Sequence, residues 1–241
     1  MRLVLLACLL ATTASYAQTP GATPDTLPQV DLPADSSGSG TVTLPAPSYT
    51  SLDARLVRAV TRVEARPFTV TMRVVNESAY PVFAAAAPVA GLVALANGSN
   101  VGPALRLGAS EAGTAAVVFA LKAVFRRPRP YRTIPGIVAR DHRYAVETPT
   151  DPNSLPSGHT ALAFAIATSA TLTDVRLAAP AYLWATAVGT SRVWHGVHYP
   201  SDVLIGAAVG AGTAVLVHAI VPDVGDSEPG ALVPFRVVIP L

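Results

Sequence analysis

Five stretches of this chain are apolar over lengths that only helices can use. Residues 80–96 carry no charge, and residues 104–125 hold only Arg106, Glu111 and Lys122. Residues 160–173, 177–191 and 203–221 complete the set. All are rich in alanine, and their β-branched residues are scattered without the alternation of a strand, so each reads as a helix. The connections 97–103 and 174–176 are short, which makes neighbours antiparallel. The expected fold is all-α, an antiparallel bundle of about five core apolar helices. Gly206 and Gly210 stand four apart, as do Ala208 and Gly212, and small residues at that spacing let helices approach closely. A bilayer span takes about 20 apolar residues. Three of the stretches have that length and two are shorter. A membrane-embedded bundle is expected, with a compact soluble bundle as the alternative.

Composition narrows the class. The chain is 51% hydrophobic and 13% charged, against about 25% charged in ordinary soluble domains. That excludes a disordered chain. A net charge of +2 is too small for a nucleic-acid footprint. Of the 17 basic residues only Lys122 is a lysine. Cys8 is the single cysteine, so no internal disulfide, cysteine metal site or redox pair exists.

Residues 1–17 read as a secretory signal, with Arg2, an apolar run from Leu3 to Ala11, and Ser15-Tyr16-Ala17 as the cleavage site. An uncleaved anchor, or lipidation at Cys8, is the alternative. Residues 18–51 form a linker rich in Pro, Gly and Ser. An N-terminal amphipathic helix follows, with Ser51 as N-cap and Leu52, Leu56, Val57, Val60 and Val63 at helical spacing. It either lies on a membrane surface or packs on the bundle. The helical domain is expected over 52–221, with a C-terminal tail at 222–241 that has no readable role.

Three polar clusters sit at ends of the apolar helices. The first is Lys122 with Arg126-Arg127-Pro128-Arg129-Pro130; the second is Pro156-Ser157-Gly158-His159; the third is Ser191-Arg192, His198 and Asp202. Alternating helix direction brings all three to one end of the bundle. The residue types suit a phosphate. Lys122, Arg129 and Arg192 supply positive charge, the arginines as planar forks. The helix start at Ser157, Gly158 and His159 offers backbone N–H groups to an anion. His198 can serve as nucleophile and His159 as general acid, and Asp202, four residues on, can orient the His198 ring. Each piece alone has a plainer reading: a solvated arginine loop, a common helix start, a structural histidine. His195 and His198 form a His-x-x-His pair, but His195 reads better as packing than as a metal ligand.

Together, Lys122-x6-Arg129-Pro130, Pro156-Ser157-Gly158-His159 and Ser191-Arg192-x5-His198-x3-Asp202 resemble the three-part signature of the phosphatidic acid phosphatase type 2 / vanadium haloperoxidase superfamily. The parts occur in order without substitution at the key positions, over residues 80–221. The resemblance implies a helical bundle with its site at one end and a phosphatase that needs no metal or other cofactor. It implies that His198 attacks phosphorus to give a phosphohistidine, Asp202 orients His198, and His159 protonates the leaving oxygen and then activates water. Lys122, Arg129, Arg192, Ser157 and the Gly158 amide would hold the phosphoryl oxygens.

The implied substrate is a phosphate monoester or diphosphate of a lipid, such as phosphatidate, phosphatidylglycerophosphate or a polyprenyl diphosphate, or else a small phosphate ester. No nucleic-acid partner is implied. If the signal is cleaved and the helices span, the first apolar helix runs inward and the clusters emerge on the extracytoplasmic face of the cell membrane. The alternatives are a vanadium-dependent haloperoxidase and a soluble, periplasmic or secreted, non-specific acid phosphatase. Haloperoxidases of the superfamily are typically larger and soluble, and the intact signature argues against a scaffold that has lost catalysis.

Overall fold

The computed structural model describes residues 50–141, 144 and 153–222. The expected signal sequence, nearly all of the linker and the C-terminal tail beyond residue 222 lie outside the described residues. Seven α-helices occur among the described residues: α1 (Leu52–Thr61), α2 (Arg66–Ala96), α3 (Gly102–Val124), α4 (Pro130–Thr133), α5 (Gly158–Thr173), α6 (Ala178–Trp194) and α7 (Pro200–Ile220). A short 3-10 turn, Val175–Leu177, joins α5 to α6. The five apolar stretches are α2, α3, α5, α6 and α7, so the all-α bundle is as expected.

The axis of the bundle is α5, whose Ala161, Ala163, Ala165 and Ala167 are fully buried. It packs against α3, α6 and, most extensively, α7. Glycine makes that last contact possible. A Cβ on Gly206 would stand 2.6 Å from the Ser157 carbonyl oxygen, and one on Gly210 only 1.9 Å from that of Ala161. The second small pair, Ala208 and Gly212, lies on the exposed face, and a Cβ on Gly212 would meet nothing within 4 Å. Helix contact therefore uses one of the two stripes, because they face opposite sides of α7.

Helix α2 begins well before the apolar stretch that announced it. Its first turns carry Arg66, Arg73 and Glu77, charges that end an apolar run without ending a helix. Pro67 lies in the first turn, where its missing N–H costs nothing. Pro81 and Pro88 lie inside the helix; each removes one backbone hydrogen bond, a loss that helices packed against neighbours tolerate.

Helix α1 is capped as expected, with the Ala54 N–H donating to Ser51 Oγ at 3.2 Å. It packs on the bundle. Ala54 and Val57 are buried against Ile134, Val193 and Tyr199, and Leu52, Arg55 and Arg62 face outward. Its C-terminal end is tied down by Arg140, which donates to the carbonyls of Thr61 (2.6 Å) and Trp194 (3.0 Å).

Helices α2, α3 and α7, of 31, 23 and 21 residues, are long and apolar enough to cross a membrane. Helices α5 and α6 have 16 and 17 residues, about 24–26 Å at 1.5 Å per residue. Large apolar side chains stand on the outside of the bundle: Leu92, Leu95, Phe119, Leu183, Leu204 and Leu216 are each more than half exposed. Water disfavours such a surface and hydrocarbon does not. The α5–α7 contact yields a paired expectation. Gly210→Ala should destabilise the protein by about 1–3 kcal/mol or more, whereas Gly212→Ala should be neutral or slightly stabilising. Thermal unfolding of the two variants in detergent checks this; equal melting temperatures would contradict the packing.

Candidate active site

Four helix ends meet at one pole of the bundle. Helix α3 ends there with Lys122, α5 starts there at Gly158, α6 ends there with Arg192, and α7 starts there at Pro200. Local signals set each end. Gly196, at φ 72°, turns the chain after α6 in the left-handed region that favours glycine. A Cβ there would also come within 2.9 Å of the Val138 carbonyl oxygen. Pro200 opens α7, and Asp202, three residues past the cap, reaches back to accept the Tyr199 N–H at 2.8 Å.

His198 is the centre of the arrangement and is buried. Its Nδ1 lies 2.7 Å from the Ser154 carbonyl oxygen. A carbonyl only accepts, so Nδ1 carries the proton and Nε2 presents its lone pair. Arg129 Nη1 donates to that Nε2 at 3.1 Å and to the Val197 carbonyl at 2.9 Å. Asp202 Oδ2 stands 3.6 Å from Nδ1. The carboxylate is thus an electrostatic neighbour of the ring, and the direct orienting hydrogen bond belongs to Ser154, which spacing alone did not reveal. Burial pushes the His198 pKa well below 6.5, and the positive charges of Arg129, Lys122 and Arg192 push the same way. The ring is neutral at neutral pH, as a nucleophile needs to be.

The side chains expected to hold an anion gather around this ring. Lys122 is buried and donates to the Asn153 carbonyl at 2.7 Å. Arg129 and Arg192 are fully buried, and both guanidinium groups lie over the Tyr144 ring, at 4.6 and 5.5 Å from its centroid. Arg192 is the most heavily supported. Its Nη1 donates to Asn76 and, at 3.1 Å, to Asp141. Its Nη2 donates to the Tyr144 hydroxyl at 3.2 Å. Its buried Nε has no partner among the described residues.

The helix start of α5 differs in one detail from expectation. The Ser157 N–H donates to the Asp202 carbonyl at 3.0 Å, and the Ser157 hydroxyl pairs with Thr160 at 2.9 Å. Of the three amides at this helix start, that of Ser157 is therefore engaged within the fold. Ser157 itself joins α5 to α7.

A cavity of about 190 Å³ opens beside these groups, lined in part by Lys122, Tyr144, Gly158, His159 and His198. Tyr80 and Phe83 of α2, Ala115, Val118 and Phe119 of α3, and Leu162 of α5 complete the lining. The His159 ring sits edge-on to Tyr80 at 4.8 Å and to Phe83 at 5.9 Å. Lys122 brings a positive charge to this lining, and apolar side chains make up much of the rest.

His195 stays out of the cavity. Its Nδ1 bonds the Ser191 carbonyl at 2.7 Å, and its ring packs edge-on against Trp194. No group of three His, Cys, Asp or Glu side chains converges among the described residues. Asn76, Asp141, Tyr144 and Ser154 were invisible to motif spacing, since each is defined only by what the fold places opposite it.

Helical bundle and polar end together define a class. Residues 103–226 match the model of the PAP2 superfamily, just over half of the chain, and the protein belongs to that superfamily. It is 38% identical over 97 residues to the bacitracin transport permease protein BcrC of Bacillus licheniformis, a match covering 39% of this chain and 43% of that relative. The chain therefore spans less than half the length of that relative. The crystal structure of LpxE from Aquifex aeolicus superposes with a TM-score of 0.55 at 24% identity, over 73% of this chain and 99% of that one. That likeness establishes the shared helical fold.

Buried His195 makes stability depend on pH. Burial chiefly, with Arg192 and Arg140, pushes its pKa from 6.5 down to about 4, against the opposing Ser191 hydrogen bond and Asp141. Between those values the unfolded chain holds a proton that the native state does not, so stability falls as pH falls. In denaturant titrations, His195→Gln should remove about 1.4 kcal/mol per pH unit of that slope. An unchanged slope would mean that His195 titrates alike in both states.

Proposed function

We propose that this protein is a phosphatase that hydrolyses a phosphate monoester or diphosphate carried by a lipid, through a phosphohistidine on His198. The observation that carries the reading is the tautomer of His198. The Ser154 carbonyl holds the Nδ1 proton, so the Nε2 lone pair faces the arginine-lined side of the site. Membership of the PAP2 superfamily supports the same class.

The chemistry runs in two displacements. The phosphoryl group lies against Lys122, Arg129, Arg192 and the amides of Gly158 and His159, which neutralise its oxygens as charge redistributes. As Arg129 Nη1 shifts its hydrogen bond from His198 Nε2 to a phosphoryl oxygen, Nε2 forms a bond to phosphorus and the ester P–O bond breaks. His159, which lines the same cavity as His198, gives its proton to the leaving oxygen. It then accepts a proton from water, whose oxygen attacks phosphorus, breaks the N–P bond and releases inorganic phosphate. Asp202 stabilises the positive charge that His198 carries between the two steps.

The substrate class rests on the apolar part of the cavity lining. Tyr80, Phe83, Phe119 and Leu162 offer apolar contact in the same cavity as Lys122, and Phe119 is 74% exposed on the outside of the bundle. An apolar tail fits such a lining better than water does. The three membrane-length helices favour this reading over a haloperoxidase or a soluble acid phosphatase. With a cleaved signal ahead of α2, the site faces the extracytoplasmic side.

His198→Ala should lower kcat for phosphate release from phosphatidate in mixed micelles by about 10³-fold or more, as loss of a covalent nucleophile does. Retained activity in that variant would remove His198 from the mechanism. Release of bromide-oxidising activity on addition of vanadate and peroxide, without phosphate release, would favour the haloperoxidase instead.

A further inference from the structure

The arginine cluster after α3 contains a residue that the phosphate site does not use. Arg129 turns toward the attacking side of His198. Arg127, two residues earlier, turns to the opposite side. It is buried at 8% exposure, in contrast to solvent-exposed Arg126. Its Nη1 donates to Asp202 Oδ1 at 2.5 Å and to Ser201 Oγ at 2.7 Å. Its Nη2 donates to Asp53 Oδ2 at 2.7 Å. Its guanidinium lies over the Tyr199 ring, 4.1 Å from the centroid. Asp53 also accepts the Ser201 N–H at 3.1 Å and the Ser201 hydroxyl.

The two oxygens of Asp202 therefore do different work. Oδ1 is taken by Arg127. Oδ2 accepts the Tyr199 N–H and stands nearest His198. Asp202 is completely buried, and a buried carboxylate stays ionised only if a cation and hydrogen bonds replace its water. Arg127 is the cation that does so. Bridging two carboxylates, one from each Nη, and stacked on an aromatic ring, it has little freedom to move.

We propose that Arg127 is a positioning residue that keeps Asp202 fixed and ionised behind His198, and that Asp53 of α1 fixes Arg127 in turn. The chain of contacts runs from Asp53 through Arg127 and Asp202 to His198. Helix α1, outside the family signature, thereby belongs to the catalytic apparatus. The inference rests on the phosphatase reading for its rate consequence, and on geometry alone for its effect on the His198 ring.

Both sides can be read separately. In the full-length protein in detergent, Arg127→Gln should lower kcat for phosphatidate about 10- to 100-fold, the usual size of an outer-sphere effect, with KM within about threefold. Arg127→Lys should recover part of the loss, and Arg126→Gln should match the wild type. Asp53→Asn should move kcat in the same direction, and the double variant should be no worse than Arg127→Gln alone.

The second readout needs no turnover. His198 faces Arg129, Lys122, Arg192 and Asp202; without Arg127 the buried Asp202 takes up a proton, the ring loses the anion beside it, and the midpoint at which it titrates by NMR should fall. Loss of thermal stability with unchanged kcat and unchanged ring titration would overturn the proposal. So would a rise in KM alone, which would make Arg127 a phosphate contact. If Arg127→Gln does not fold, Asp53→Asn and Arg127→Lys carry the test; wild-type kcat and ring titration in both would overturn it. A wild-type protein that releases no phosphate, yet shows the shifted His198 titration in these variants, would uphold the network and reject the phosphatase.

Discussion

The contact of α7 on α5 is the constraint on which the other features depend. Backbone meets backbone there, at Gly206 against Ser157 and Gly210 against Ala161. That approach lets the Ser157 amide donate to the Asp202 carbonyl. It registers the start of α5, which carries Gly158 and His159, against the start of α7, which follows His198. A side chain at either glycine would separate the helices and pull the two halves of the site apart. Specific packing between small residues does here what the hydrophobic effect does in water, since hydrocarbon outside the bundle offers no comparable drive.

On that scaffold the polar groups are arranged in two tiers around one ring. Arg129 meets the Nε2 of His198, and Arg129, Lys122 and Arg192 each press its titration downward. On the other side stand the Ser154 carbonyl and Asp202. The ring is therefore neutral at rest, with its lone pair toward the cations. In the proposed mechanism the same ring becomes positive once Nε2 bonds to phosphorus, and the carboxylate behind it becomes favourable. Charge that is unfavourable for the free imidazolium is suited to an anionic ligand, which is what gives the site its direction.

Much of this was legible from residues alone. Uncharged length announced five helices, and the placement of polar clusters at helix ends implied a single polar pole. Lys122, the lone lysine, proved to be a buried cavity residue rather than a compositional accident. What escaped was everything determined by distance in space. The first turns of α2 were hidden by Arg66, Arg73 and Glu77, although a helix tolerates charges wherever they face solvent. Asn76 on those turns meets Arg192 across more than a hundred residues of chain. Asp53 meets Arg127 and Ser201 in the same way. Ser157, read as an anion ligand, spends its amide on Asp202 because α7 approaches so closely. Sequence periodicity reports which face of a helix is apolar, and it carries no record of which side chain stands opposite.

The covalent role of His198 is the central claim, and trapping the intermediate tests it most directly. An aryl phosphate labelled at phosphorus has a leaving group that needs no proton, so in a His159→Ala variant attack should outrun hydrolysis. After rapid quenching under basic conditions, mass analysis should find an acid-labile phosphoryl group on His198, lost again on a chase with unlabelled substrate. Turnover at the wild-type rate with no label on the protein, or label on any residue other than His198, would contradict the account.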